Sequence, residues 1–242
     1  MAAPQSIGKK LGFWALKAAA WFFIVSFSWA ALYIWVNPPV TSIMVKRKLT
    51  AWQTGEPAKL KRQWLSYEDI SPYMILAVIA TEDQNFPFHG GFDFKAISQA
   101  MEHNQKQATK KRKRIKGAST ISQQVAKNVF LWEGRSWLRK GFEVYFTFLI
   151  EALWSKKRII EVYLNVAETG NKVFGVQAAA QTYFGKTATQ LNMEQAALLA
   201  TVLPNPQKNN PARPSQYMIN RKNWAVRQMQ RLGGKNFLQA LE

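Results

Sequence analysis

Glu82 and Asp83 stand side by side directly after an apolar stretch, Tyr73 to Ala80. A carboxyl held against apolar surface has its charged form disfavoured, so its pKa rises, and a raised pKa suits proton transfer near neutral pH. An acidic pair at a helix end is more often simply solvated. Here Phe86, Phe88, His89, Gly90, Gly91 and Asp93 follow at once, a density of aromatic, glycine and ionisable residues unusual for a plain loop. Glu82 is therefore the candidate acid–base residue.

A second cluster runs from Gly117 to Asn128: Gly-Ala-Ser-Thr-Ile-Ser-Gln-Gln-Val-Ala-Lys-Asn. On a helix, Gln123 and Lys127 are four apart, as are Gln124 and Asn128, and such positions share a face. Val125 and Val129 form the opposing apolar stripe. With Ser119 and Thr120, the polar side offers hydroxyls, amides and an ammonium together, a combination that can bind sugar hydroxyls and a phosphate. An ordinary surface helix would satisfy the same pattern. A third set is Arg135, Arg139, Lys140, Glu143 and Glu151, in which Arg139 and Glu143 have the spacing of a helical ion pair. A fourth runs from Lys156 to Asn165. Its Glu161 is flanked by apolar residues with Lys157 one turn earlier, a pair worth ~0.3 kcal/mol if it is only structural.

Other chemistries are excluded. The chain has no cysteine and two histidines, His89 and His103, which removes disulfides, thiolate metal sites and cysteine nucleophiles and leaves no convincing zinc site. Gly185-Lys186-Thr187 ends like a phosphate-binding loop, but Ala180 occupies the place of the required first glycine. Ser6-Ile7-Gly8-Lys9 matches the S-x-x-K of penicillin-binding sites without its companion motifs, so no transpeptidase site is expected. Lys and Arg total 33 against 14 Asp and Glu, a formal charge of +19. Such a field favours polyanionic partners: nucleic acid, anionic lipid or a phosphate-bearing substrate.

The elements that must position these residues are mostly helical. Ala18 to Val36 carries no charge and, as a helix, would span roughly 28 Å, close to a bilayer core. It reads as an uncleaved transmembrane anchor. The rival is a signal peptide cut near Ser28-Trp29-Ala30, but the apolar run continues past that site. Residues 1–17 would be a short cytoplasmic tail and 37–65 a linker or membrane-proximal segment. Ser71-Pro72 looks like an N-cap followed by proline at the first helical position. Further helices are expected over 94–107, 122–131, 137–154, 156–166, 193–203 and 216–232, the last stopped by Gly233-Gly234. Lys110 to Arg114 is a basic run suited to anionic headgroups. Strand signals are weak, so residues 66–242 should form one mainly helical domain.

Residues from about 66 to 215 resemble glycosyltransferase family 51. Glu82-Asp83-Gln84-Asn85-Phe86 with His89, Gly91 and Asp93 matches its first motif, and Gly117 to Asn128 matches its second almost letter for letter. Arg139-Lys140 with Glu143 and Glu151 matches the third, and Arg158 to Asn165 the fourth. The length and single anchor are similar to the monofunctional peptidoglycan transglycosylases. The resemblance implies a lysozyme-like helical domain acting on lipid II and the growing glycan strand at the cytoplasmic membrane. Its catalytic domain would be periplasmic, and its partners would be other cell-wall synthesis and division proteins rather than nucleic acid. Glu82 would be the base on the acceptor hydroxyl. Glu161 would be a second catalytic glutamate, with Glu168 as a substitute. Asp83, Phe86, His89, Ser119, Thr120, Gln123, Gln124, Lys127, Asn128, Arg135, Arg139 and Lys140 would bind substrate, with Lys127 and Arg135 on the pyrophosphate. No cofactor is obligatory, although Mg or Mn assists some members.

Overall fold

The computed structural model describes residues 7–108, 116–134 and 136–242. The basic run over 110–114 lies outside them. The chain divides into two compact units, Met1–Asn37 and Pro38–Glu242.

The first unit holds α1, Ile7–Leu32. Its Lys10–Leu32 portion is long and apolar enough to cross a membrane. The helix starts earlier than the charge-free run because lysines do not break helices. It stops before the Asn37-Pro38-Pro39 turn, as prolines require.

In the second unit the segment expected as a linker contains a helix, α2, Ser42–Gln53. Thr41 caps it, and Met44 and Ala51 are buried. Its Arg47 makes a two-pronged bond to Glu168, with Nε to Oε1 at 2.7 Å and Nη2 to Oε2 at 2.9 Å. Gln207 also donates to Glu168, at 2.6 Å. Glu168 is thus occupied as a tie between segments far apart in sequence.

The centre is α3, Pro72–Glu82. Met74 through Ala80 are all buried, so the helix is apolar on every side, as a core helix must be. Each of its large side chains contributes ~1.5–3 kcal/mol through burial. Ser71 precedes Pro72 as expected, but its hydroxyl donates to Leu191 O at 2.7 Å instead of capping α3. After α4, Phe94–Ala108, come α5, Ile121–Phe130; α6, Trp137–Leu153; and α7, Lys156–Val166. α5 packs against α6 and α7. After α8, Val176–Phe184, come α9, Met193–Ala200, and α10, Gln216–Arg231, both packed on α3. Gly185, at φ 61°, is the left-handed stop of α8, which is what the phosphate-loop-like run turns out to be.

Strands occur despite the weak signals. Three short ones are β1, Lys61–Arg62; β2, Glu168–Gly170; and β3, Val173–Phe174. β3 lies between the other two, parallel to β1 and antiparallel to β2, with Lys61 opposite Val173 and Arg62 opposite Phe174. Runs this short are below what alternation can reveal.

Gly175 joins this sheet to α8. It sits at φ 80°, and a Cβ there would lie 2.8 Å from the backbone oxygen of Asn165. Gly175→Ala should therefore destabilise the protein by ~2 kcal/mol or more. Thermal melting of the detergent-solubilised chain should show a clear drop. Gly141→Ala, where a Cβ meets nothing within 4 Å, should leave the melting temperature level or raised.

Candidate active site

The first two sequence motifs meet through Asp83. This residue is the C-cap of α3, and its carboxylate is buried. Oδ2 accepts the Ile121 backbone N–H at 3.0 Å. That donor is one of the orphan amides at the start of α5, where negative charge is favoured. Both carboxylate oxygens lie 3.0 Å from His89 Nε2. His89 Nδ1 accepts the Gly91 N–H at 3.1 Å, which places the ring proton on Nε2, pointing at Asp83. Gly91 is at φ 91°, and a Cβ on it would come 2.8 Å from Thr147 Cγ2. Its carbonyl accepts from the Thr120 hydroxyl at 2.7 Å. Thr120 and Gln123 complete a reciprocal capping box at the start of α5.

This clamp fixes the neighbouring residue, Glu82. Gln124 Nε2 donates to Glu82 Oε2 at 3.0 Å, and Tyr163 Oη donates to Gln124 Oε1 at 3.3 Å. Tyr163 is fully buried, and burial raises its pKa well above 10.0, so it stays a donor. The phenol thus orients the amide, and the amide orients the carboxylate. Burial pushes the Glu82 pKa up from its ordinary value. The Gln124 hydrogen bond and the positive charge of Arg221 oppose that rise, Asp83 adds to it, and Lys127 weakly opposes it. Glu82 borders a cavity of about 780 Å³, together with Asn85, Ser119, Gln124, Arg221 and Trp224.

A second cavity, of about 400 Å³, is lined by Lys127, Asn128, Trp132 and Arg139. Glu143 is buried behind these cations. It accepts from Arg139 Nη1 at 3.0 Å and from Lys140 Nζ at 2.5 Å. Among the described residues Arg139 Nε is buried without a hydrogen-bond partner. The surrounding protein lowers the Lys127 pKa, chiefly by desolvation, while Glu143 opposes and Arg139 and Lys140 add to the lowering. Lys127 and Arg139 line the cavity beside Glu133, which pairs with Lys46, and Lys140 adjoins through Glu143, so four cations against two carboxylates leave an excess of positive charge here, an arrangement suited to a multiply charged anion. Arg135, expected in this cluster, lies outside the described residues.

A family model described as Transglycosylase matches residues 47–230. The chain belongs to this transglycosylase family. A biosynthetic peptidoglycan transglycosylase of Pseudomonas entomophila (strain L48) is 51% identical over 226 residues, covering 93% of this chain and 94% of that protein. One from Yersinia pseudotuberculosis serotype O:1b (strain IP 31758) is 49% identical over 231 residues, covering 95% and 94%.

Within this family frame, the expected site residues separate by position. Glu82, Asp83, Ser119, Thr120 and Gln124 line the first cavity, and Lys127, Asn128 and Arg139 the second, while Lys140 lines neither. Asp83, His89, Thr120 and Gln123 also hydrogen-bond one another and nearby backbone, which holds the site together. Phe86 is fully buried, with Lys156 Nζ 4.7 Å from its ring centre. Glu161 is not brought to either cavity. It accepts from Arg158 at 2.5 Å, from Trp64 Nε1 at 3.2 Å and from the Tyr67 N–H at 3.2 Å. One turn on, Asn165 exchanges two 2.8 Å bonds with the backbone of Leu65. The fourth motif is therefore a tether for residues 64–67. Sequence reading missed the wall supplied by α10, whose Tyr217, Arg221 and Trp224 line the Glu82 cavity. The signal was present as a polar–aromatic stripe beside the buried stripe Met218, Ala225 and Met229. Among the described residues no group of three or more His, Asp or Glu could hold a metal ion.

A base works only when deprotonated, so activity that uses Glu82 should fall as pH drops through its raised pKa. Removing a hydrogen bond that favours the carboxylate raises that pKa further. Gln124→Ala should therefore move the acid limb of the pH–activity profile to higher pH, and Tyr163→Phe should move it the same way by less. An unmoved limb in both folded variants would show that Glu82 does not control it.

Proposed function

We propose that this transglycosylase polymerises lipid II into glycan strands at the cytoplasmic membrane. The acceptor 4-hydroxyl attacks the anomeric carbon of the lipid-linked donor, and its proton passes to the Glu82 carboxylate. The bond from that carbon to the pyrophosphate oxygen breaks, undecaprenyl pyrophosphate leaves, and the configuration inverts from α to β. The observation that carries this reading is the pairing of one buried, oriented carboxylate at the end of α3 with a separate cation cluster on α5 and α6. Gln124, which holds the base, and Lys127, which lines the cationic cavity, lie one turn apart on α5.

A pyrophosphate leaving group needs charge stabilisation more than protonation. Lys127, Arg139 and Lys140 would supply it, with Glu143 setting their positions. A glycan-cleaving enzyme also needs a carboxyl but must protonate its sugar leaving group, and the cation cluster has no task in that chemistry. A polyanion-binding protein would account for the charge but not for the Tyr163–Gln124–Glu82 arrangement. In this reading Glu143 takes the place expected of Glu161. Mg or Mn, where either assists, would be held by pyrophosphate oxygens, the hard ligands both ions prefer. The helix α1 would anchor the chain with its N-terminus in the cytoplasm and the catalytic unit on the periplasmic side.

Glu82→Gln keeps the side-chain volume and removes the base, so it should cut glycan polymerisation from lipid II by ~10²-fold or more without unfolding the chain. Glu143→Gln, which releases Arg139 and Lys140, should also be severely impaired. Glu161→Gln should lower the melting temperature while keeping most of the turnover. Near-normal polymerisation by folded Glu82→Gln would end the reading.

A further inference from the structure

The face of α10 toward the Glu82 cavity has no role in the mechanism so far. Met218, Ala225 and Met229 are buried, and α10 packs on α3 and α9. That anchoring turns Tyr217, Arg221 and Trp224, spaced four and three, to the cavity. Gln228, four residues on, accepts from Gln84 Nε2 at 3.5 Å, so the strip runs alongside the segment that carries the base.

Arg221 is the informative member. Its guanidinium lies 3.9 Å from the centre of the Trp224 ring. Among the described residues it makes no hydrogen bond and no ion pair. A guanidinium stacked on an indole keeps its in-plane N–H groups available for a carboxylate or phosphate. It could have paired with Glu82, whose carboxyl feels its charge, but a direct pair would weaken Glu82 as a base. The pyrophosphate already has its cluster in the other cavity. What remains on a muramyl-containing substrate is the carboxylates of its peptide stem.

We propose that Arg221, held flat by Trp224, binds a stem-peptide carboxylate of the saccharide substrate, and that Tyr217 and Trp224 offer ring faces to the adjoining sugars. This makes α10 a specificity wall that reads an anion other than the pyrophosphate. The inference rests on the polymerase reading above and deepens it.

The test uses the full chain in detergent and two lipid II preparations, one with free stem carboxylates and one with those carboxylates converted to amides. The wild-type chain should show a KM about tenfold lower for the free carboxylates, the scale of a lost charge-assisted hydrogen bond. Arg221→Gln should raise KM for the carboxylate substrate about tenfold, leave KM for the amide nearly level, and keep kcat for both within about threefold. Arg221→Lys, which keeps the charge without the fork, should retain part of the discrimination. Equal KM increases for both substrates would assign Arg221 to the pyrophosphate or to packing and overturn the proposal, as would an unchanged KM. If Arg221→Gln does not fold, the wild-type comparison decides alone, and equal KM values for the two substrates overturn the proposal. A wild-type chain that polymerises neither substrate would instead defeat the polymerase reading itself.

Discussion

The site depends on one buried carboxylate that is not the reactive one. Asp83 receives the first free amide of α5 and the ring proton of His89. An ionised group of this kind would be costly in the interior if it were left unpaired. Its partners come from the loop after α3 and from the start of α5, so satisfying it forces those two segments together. Glu82 is its covalent neighbour and the last residue of a helix buried on all sides. The proposed base is therefore carried by a helix buried in the core, at the point where the chain leaves it. Removing Asp83 would release the loop, the α5 N-terminus and the orientation of Glu82 together.

The two cavities place opposite electrostatic demands on α5. Glu82 must stay ready to accept a proton, which favours burial and distance from strong cations. The leaving group needs concentrated positive charge. Helical periodicity reconciles the two. Gln124 faces the carboxylate while Lys127, three residues on, belongs to the cation cluster. Lys127 contributes only weakly to the charge felt by Glu82, less than Gln124 or Arg221. The base thus keeps a raised pKa within reach of a strongly basic surface.

Much of this is legible in the amino-acid sequence. Helices with long periodic faces, such as α6, α7 and α10, fall within one or two residues of their expected ends, because apolar spacing and Ser caps mark them. Glu82 stood out through its apolar approach and its glycine-rich exit. What the sequence concealed were interactions across long separations. Arg47 gives no local sign that it grips Glu168, 121 residues away, so α2 read as a linker. Glu161 and Glu143 are both glutamates in charged helical stretches. Only tertiary placement shows that one ties down Trp64 and Tyr67 while the other lies behind Arg139 and Lys140. Ion-pair spacing along a helix reports possible partners within the helix and nothing about what else the carboxylate meets.

The cation cluster also has a consequence for the order of events. The ammonium of Lys127 is disfavoured by desolvation and by Arg139 and Lys140, and Glu143 and Glu133 compensate only in part. Among the described residues the buried Arg139 Nε has no hydrogen-bond partner. In the proposed reading a pyrophosphate would relieve these costs by supplying charge and acceptors. Part of the binding free energy then comes from removing a penalty already present in the protein, which is a form of preorganisation. In that reading charge accumulates on the departing phosphate oxygen as the bond to the anomeric carbon breaks, and the same cations would interact with it more strongly than with the intact ester. Stabilisation that grows along the reaction coordinate lowers the barrier, whereas uniform binding does not. A carboxylate that fully neutralised the cluster would forfeit this gain. Glu143 holds Arg139 and Lys140 in place, and the cations around it outnumber the carboxylates, which would leave an excess for the leaving group.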